Sequence, residues 1–152
     1  MNDLKRILLV DDSPRDVELA LDALAQHHLA NQVVVLRDGA EALDYLHRRG
    51  AFASRRAGQP ALVLLDLNLP KVDGMEVLRQ MRCDPALQGI CVIIMTASNA
   101  ERDLFNSLNL GVNAYLVKPV NFQKLIAAVQ RAGAFWGVVT APPAGRAPEN
   151  PE

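Results

Sequence analysis

The stretch Leu62–Gly74, LVLLDLNLPKVDG, joins an apolar run, an acid and a turn. A short apolar run bounded by turn residues is typical of a strand that is buried on both faces. This run ends at Asp66, and Pro70 and the residues after it turn the chain. Ligands of open parallel sheets bind outside the carboxyl ends of the strands, so Asp66 is a candidate for chemistry. Asp66 could instead cap the next helix, but Asp73 is better placed for that role.

The same apolar signature recurs along the chain and alternates with helical spacing. Strands are predicted over residues 5–10, 32–36, 62–65, 90–95 and 114–117. Helices are predicted over residues 14–28, 42–46, 74–81, 100–110 and 122–129. Ser13 as N-cap and Pro14 as first helical residue begin the first helix. The alternation predicts an α/β fold, a doubly wound three-layer sandwich of a five-stranded parallel sheet with five helices.

Composition limits the classes of function. The 152 residues are half apolar, which is enough for one domain with a sizeable core. The formal net charge of −1 argues against binding to nucleic acid or to an anionic membrane. No apolar run approaches the roughly 18 residues of a membrane span, and no signal peptide is evident, so a cytoplasmic location is predicted.

Two segments lie outside the regular alternation. Residues 50–60 are polar and turn-rich, with arginines in and before them, and are predicted to form a long exposed loop. These arginines could form a patch for a partner or nucleic acid, but the balanced charge favours a solvated loop. Residues 1–137 are assigned to one domain, and residues 138–152 to a short apolar, then Pro/Ala-rich tail that is partly disordered.

Four of the five predicted strands carry informative polar side chains at their carboxyl ends. They are Asp11 and Asp12 after the first strand, Asp66 at the third, Thr96 at the fourth and Lys118 at the fifth. Because the carboxyl ends of parallel strands share one edge of the sheet, these side chains are expected to converge on one pocket. Each has a plainer explanation alone, as a helix flank, a cap or a surface lysine, but their joint arrival is harder to explain that way.

The residue types in this pocket suit phosphoryl chemistry. Clustered carboxylates repel one another and need a cation, and Mg²⁺ binds a few carboxylates together with waters and phosphate oxygens. Lys118 supplies a compact positive charge for phosphoryl oxygens, and the hydroxyl of Thr96 can donate to another of them. A carboxylate that attacked phosphorus would form an aspartyl-phosphate.

The motifs LLVDDSP, LLDLNLPKVDG, IIMTA and AYLVKP, in this order and spacing, resemble the receiver domain of two-component response regulators, a CheY-like, flavodoxin-like fold. The resemblance spans roughly residues 5–135. It implies a signalling protein that takes a phosphoryl group from a sensor histidine kinase onto Asp66 with Mg²⁺. Such a domain is not an enzyme in the usual sense, because it catalyses only its own phosphotransfer and aspartyl-phosphate hydrolysis.

The resemblance also implies a role for each metal ligand. Asp12 would bind Mg²⁺ directly, and Asp11 mainly through water. Asp66 would contribute its carboxylate, and Asn68 its backbone carbonyl oxygen.

Further residues of the phosphoryl site and of a switch are implied in the same way. Lys118 and Thr96 would contact the phosphoryl group, and the bond between Lys118 and Pro119 would be cis, which X–Pro bonds tolerate. Thr96 and Tyr115 would form the switch, with the Tyr115 ring turning inward once Thr96 is drawn to the phosphoryl group. Tyr115 could instead be a half-buried aromatic with its hydroxyl in water.

A finer resemblance concerns the segments DLNLPK, SLNLGVNAYLVKPV and the pair Phe135-Trp136. These are similar to small regulators that are paired with phytochromes, which implies a bacteriophytochrome as the kinase and a homodimer. The apolar stretch around Phe135 and Trp136 is more than one helix end can bury, and such patches usually mark interfaces. Trp136 could instead cover the core of its own domain.

Other functions remain as alternatives. A phosphatase of the haloacid dehalogenase type would have a cap domain, which is missing here. It would also have an Asp two residues after the nucleophile, where this chain has Asn68. A nucleotide-binding Rossmann domain would have a glycine-rich phosphate motif, which the sequence lacks. A switch-impaired receiver that acts as a dimeric scaffold or phosphate sink is disfavoured by the intact acids. No output domain is expected after residue 137, so the signal is expected to leave through protein contacts.

Overall fold

The computed structural model describes residues 6–26, 33–55, 59–97, 100, 112 and 114–131. The strands are β1 Ile7–Val10, β2 Val33–Leu36, β3 Leu62–Asp66, β4 Cys91–Thr96 and β5 Ala114–Val117. The α-helices are α1 Pro14–Ala25, α2 Gly39–His47, α3 Gly74–Cys83 and α4 Phe122–Arg131. Helix α4 is the last of the predicted helices. The predicted helix over residues 100–110, beyond its first residue, lies outside the described residues, as do the tail and the pair Phe135-Trp136.

All five strands pair in parallel, in the order β2-β1-β3-β4-β5. The chain adds β2 on one side of β1 and then crosses to add β3 on the other side. The strand order therefore reverses between β1 and β3, and ligands of doubly wound sheets bind at this point, outside the carboxyl ends of the strands. The register pairs Val10 with Leu65, so the residues that follow them, Asp11 and Asp66, lie side by side at that edge.

The helices cover both faces of the sheet. Alternate strand residues point to opposite faces, so each strand contributes to two separate cores. One core contains side chains of α1 and α4, among them Val17, Ala20, Leu24, Leu125 and Ala128. The other contains side chains of α2 and α3, among them Leu43, Leu46, Val77, Leu78 and Met81. The predicted doubly wound, three-layer α/β sandwich is confirmed. Among the described residues, none of the helices has the length and apolar character to cross a bilayer.

Polar N-cap residues begin the helices that follow β1 and β3. Ser13 Oγ accepts a hydrogen bond from the backbone N–H of Asp16, at 3.2 Å, as expected of an N-cap. Asp73 Oδ1 accepts one from Glu76 N, at 3.0 Å, so Asp73 caps α3 and Asp66 is left for another role. A Cβ at Gly74 would collide with the backbone oxygen of Asp66, so only glycine lets α3 begin this close to the end of β3.

The loop after α2 differs from its prediction. Residues Gly50–Phe52 form a turn of 3₁₀ helix, and the half-buried Arg55 lies with its guanidinium 4.0 Å from the centroid of the Tyr45 ring. Arg55 Nη2 donates to Tyr45 O at 2.6 Å and to Gln59 Oε1 at 3.0 Å, and Gln59 Nε2 donates to Leu46 O at 3.0 Å. The last carbonyl groups of a helix have no hydrogen-bond donor within the helix. Here Arg55 donates to the carbonyl of Tyr45, and Gln59 donates to that of Leu46. The prediction of a solvated arginine loop is therefore wrong for Arg55.

Candidate functional site

Three carboxylates meet where β1 and β3 end. Asp11 and Asp66 are almost wholly buried, with exposed fractions of 0% and 4%, whereas Asp12 is exposed. One carboxylate oxygen from each of the three lies within 4.8 Å of the others. Buried charges usually need a partner of opposite sign, so this grouping requires a cation close by.

Backbone N–H groups of the two loops orient the buried carboxylates. Asp11 Oδ1 accepts a hydrogen bond from Ser13 N at 3.0 Å, and Asp66 Oδ1 accepts one from Asn68 N at 3.2 Å. Each loop thus holds one oxygen of its acid. The other oxygen of each acid, Oδ2, makes the contacts with Lys118 described next.

The ammonium of Lys118 lies among the carboxylates. Its Nζ atom is 2.9 Å from Asp11 Oδ2, 2.9 Å from Asp16 Oδ2 and 3.2 Å from Asp66 Oδ2. It donates hydrogen bonds to Asp16 and Asp66, but its contact with Asp11 is an ion pair without hydrogen-bond geometry. The buried Oδ2 atom of Asp11 therefore has no hydrogen bond.

A backbone hydrogen bond to Thr96 positions this lysine. Lys118 N donates to Thr96 O at 2.8 Å, which ties the residue after β5 to the end of β4. The bond between Lys118 and Pro119 is cis, as the receiver resemblance implies. The side chain of Lys118, 16% exposed, therefore starts from a fixed backbone position beside the acids.

The pKa values record an excess of negative charge. Burial raises the pKa of Asp66 to about 6, and the neighbouring Asp11 adds to the rise, against the opposing effects of Lys118 and the N–H of Asn68. Burial alone would lower the pKa of Lys118, but the hydrogen bond to Asp16 and the contacts with the charged Asp11 and Asp66 outweigh that effect, so the pKa of Lys118 is raised. The lysine stays charged, and its one ammonium contacts three carboxylates, with that of Asp12 close to two of them.

This donor set fits a hard divalent cation. Carboxylate oxygens at two neighbouring loops are the ligands that Mg²⁺ and Mn²⁺ prefer. The unbonded Oδ2 atom of Asp11 and the raised pKa of Asp66 are what one expects of acids whose charge the protein leaves incompletely balanced.

The remaining predicted residues lie on the same edge or next to it. Thr96 is fully buried at the end of β4, and Asn68 is exposed in the loop after β3. Tyr115 is half-buried against the core of α2 and α3, whereas its neighbour Leu116 packs in the opposite core, as the alternation of β5 predicts.

Sequence reasoning missed Asp16. Its carboxylate reaches Lys118 from the first turn of α1, although 102 residues separate the two in sequence. An acid in a first helical turn is common because it complements the helix dipole, so its position gave no distinctive signal.

Comparison with known proteins identifies the family. The response regulator receiver domain family matches residues 7–130. This chain belongs to that family. Response regulator Rcp1 of Synechocystis sp. is 40% identical over 135 residues, which cover 89% of this chain and 90% of Rcp1. The Mn²⁺-bound form of Rcp1 superposes with a TM-score of 0.72 at 39% identity, covering 92% of this chain and 99% of that one.

Two solved bacteriophytochrome response regulators are more similar in structure. RtBRR has a TM-score of 0.85 at 53% identity, covering 94% of this chain and 86% of its own. AtBRR has a TM-score of 0.83 at 53% identity, covering 89% of this chain and 96% of its own. Both the receiver resemblance and the finer resemblance to phytochrome-paired regulators are confirmed.

Family membership establishes the class of function. The chain is a response regulator receiver, a signalling domain whose family typically accepts a phosphoryl group, and its partner class is a histidine kinase. The phosphatase and Rossmann alternatives are wrong. The switch-impaired scaffold is not favoured, because the acids and the lysine stand together at the strand ends.

Proposed function

We propose that Asp66 is the phosphoacceptor and takes its phosphoryl group from a histidine kinase in a Mg²⁺-dependent reaction. The observation that carries this proposal is the position of Lys118 Nζ, 3.2 Å from the buried Asp66 Oδ2. An acid that is both buried and beside a fixed ammonium is placed for reaction with an anionic group.

The chemistry follows from these positions. A carboxylate oxygen of Asp66 attacks phosphorus in line, an O–P bond forms, and the P–N bond of the phosphohistidine breaks with its electron pair returning to the imidazole. Lys118 neutralises charge on the phosphoryl oxygens, and the hydroxyl of Thr96 donates to one of them. Hydrolysis of the aspartyl-phosphate, in which water attacks phosphorus, the O–P bond to Asp66 breaks and phosphate leaves, is the second reaction that the domain promotes on itself.

We assign the divalent ion to Asp11, Asp12, Asp66 and the carbonyl oxygen of Asn68, with Asp11 acting mainly through water. Mg²⁺, when bound, supplies charge neutralisation at the phosphoryl oxygens. Support comes from the carboxylate oxygens within 4.8 Å of one another and from the Mn²⁺-bound form of the relative Rcp1.

Intact mass measurement tests the phosphoacceptor. The protein is incubated with Mg²⁺ and phosphoramidate, and wild type is expected to gain one phosphoryl group whereas Asp66→Asn gains none. Asp22→Asn, which changes an exposed acid of α1, is the matched control and should label like wild type. Undiminished labelling of Asp66→Asn would show that another residue accepts the group.

We further propose that the kinase is a bacteriophytochrome, supported by the similarity to RtBRR and AtBRR. The test measures the initial rate of phosphotransfer to this chain from a bacteriophytochrome of the same genome. That rate is compared with the rates from other histidine kinases of that genome. Faster transfer from several of the others would reject the pairing. The cytoplasmic location stays a prediction.

The switch and the assembly are also proposals. Thr96 and Tyr115 are assigned to the switch. A Tyr115 rotamer that is the same with and without beryllofluoride would reject this assignment.

We also propose that the chain forms a homodimer that buries Phe135 and Trp136. The domain comprises residues 1–137, and a tail of residues 138–152 follows it. Light scattering tests the dimer. Wild type should have twice the chain mass and Trp136→Ala the chain mass; a monomeric wild type would reject the dimer.

A further inference from the structure

Asp16 is a charged residue of the strand-end cluster for which neither metal binding nor phosphoryl acceptance gives a role. It lies in the first turn of α1, and its side chain is 23% exposed. Its Oδ2 atom accepts a hydrogen bond of 2.9 Å from Lys118 Nζ, shorter than the 3.2 Å that separates the same ammonium from Asp66. The shorter of the two hydrogen bonds thus goes to the residue that takes no part in the proposed reaction.

The plain explanation is that Asp16 completes the cap of α1. In a capping box, the acid at the third helical position accepts from the backbone N–H of the N-cap residue. Here Ser13 N donates instead to Asp11 Oδ1, at 3.0 Å. The backbone N–H of Asp16 donates to Ser13 Oγ, so Asp16 takes part in the cap through its main chain. The carboxylate of Asp16 takes no part in the cap. The carboxylate is thus available to Lys118.

The lysine has room to move if this contact is lost. A cavity of about 340 Å³ lies between α1 and the turn after β5, lined by Arg15, Asp16, Leu19, Ala97, Lys118 and Pro119. A lysine has a flexible four-carbon stem, and holding its ammonium in one place costs side-chain entropy. Asp16 lies on the wall of that cavity and holds the ammonium beside Asp66.

We propose that Asp16 is a positioning residue, which fixes the ammonium of Lys118 next to Asp66 and thereby speeds phosphoryl transfer. The effect on transfer rests on the proposed function of Asp66, whereas the effect on Lys118 does not. A group held in place before reaction costs no reorganisation at the moment when charge develops on the phosphoryl oxygens.

Nuclear magnetic resonance relaxation tests the contact without phosphoryl or metal. The sequence has four lysines, so the ammonium of Lys118 can be assigned with Lys118→Arg. In Asp16→Ala, the order parameter of the Lys118 ammonium should fall towards that of the exposed Lys124, and Asp16→Glu, which keeps the carboxylate, should restore most of it. Asp22→Ala, which removes the same charge from the exposed face of α1, should leave it unchanged. An unchanged order parameter in Asp16→Ala would overturn the proposal.

Phosphorylation kinetics test the consequence. With phosphoramidate and saturating Mg²⁺, Asp16→Ala should be phosphorylated about tenfold more slowly than wild type, with Asp16→Glu close to wild type and Asp22→Ala within about twofold. A rate for Asp16→Ala equal to or faster than wild type would overturn the role in transfer. If wild type itself gains no phosphoryl group, the proposed function of Asp66 fails, and the relaxation experiment still decides whether Asp16 positions Lys118.

Discussion

Two partly buried cations, Lys118 and Arg55, lie in opposite electrical surroundings. At the strand ends, the ammonium of Lys118 lies among carboxylates, whose hydrogen bonds and charges raise its pKa. After α2, the guanidinium of Arg55 lies over the ring of Tyr45 and donates to carbonyl oxygens of Tyr45 and Gln59. Burial lowers the pKa of Arg55.

The difference separates a cation used for structure from one held for reaction. Arg55 donates to the carbonyl oxygen of Tyr45 at the end of α2 and to the side chain of Gln59, so its donors have acceptors within the protein. Lys118 faces more negative charge than it can balance, and a buried oxygen of Asp11 is left without a hydrogen bond. Such incomplete balance is destabilising for the fold but useful for binding cations and phosphoryl groups. Substitutions in the two regions should therefore have opposite consequences for stability and function.

Removal of the reactive cation should have the largest effect. Lys118→Ala is expected to slow phosphorylation by phosphoramidate about 100-fold, because a preorganised charge on the phosphoryl oxygens is lost. The control is Lys124→Ala, which removes an exposed lysine of α4 and should leave the rate within about twofold of wild type. Stopped reactions followed by mass spectrometry give both rates. A mild loss, similar to that of the control, would mean that Lys118 serves the fold only.

Removal of the structural cation should change stability alone. Arg55→Ala loses its hydrogen bonds to Tyr45 and Gln59 and its contact with the Tyr45 ring, so the free energy of unfolding in urea should fall by about 2 kcal/mol. Arg49→Ala, which breaks the exposed ion pair with Asp44, should cost less than about 1 kcal/mol. The phosphorylation rate of both variants should match wild type. A slowed rate in Arg55→Ala would break the distinction between the two regions.

Loss of the exposed acid should weaken metal binding. Asp12→Ala is expected to lower Mg²⁺ affinity by about tenfold or more in calorimetry, since it removes a ligand. The unfolding free energy without metal should stay near that of wild type, because Asp12 is exposed. Asp22→Ala is the control for the loss of one charge. Should Mg²⁺ affinity survive in Asp12→Ala, the residue has no part in the metal site.

Neutralising the buried acid should have the smallest effect and the opposite sign. Asp11→Asn keeps an oxygen that can accept from Ser13 N but removes the repulsion with Asp66. The metal-free protein should become more stable by about 1 kcal/mol in urea unfolding, while Mg²⁺ binding weakens. Asp22→Asn should change neither quantity. If Asp11→Asn is less stable than wild type, the attraction between Asp11 and Lys118 outweighs that repulsion.

The sequence alone determined the sheet and the acids at its edge. Apolar runs that end on Asp11, Asp66 and Thr96 predict buried strands and the polar residues that follow them, because hydrophobic periodicity and parallel topology are local and general rules. The register of β1 and β3, which the structure shows, places Asp11 directly beside Asp66 at this edge. The motif resemblance added the cis bond at Lys118, which the structure shows.

The partners of Lys118 and Arg55 depend on the tertiary structure. Asp16 and Lys118 are 102 residues apart, and their contact depends on how α1 packs beside the turn after β5. In the sequence, Arg55 is one of several loop arginines with nothing to distinguish it. In the folded chain, the loop packs on the end of α2, and the guanidinium of Arg55 lies over the Tyr45 ring. Sequence patterns report which side chains face a core, but they do not report the direction in which a long charged side chain reaches. That direction is set by distances of a few ångströms between elements that are remote in sequence.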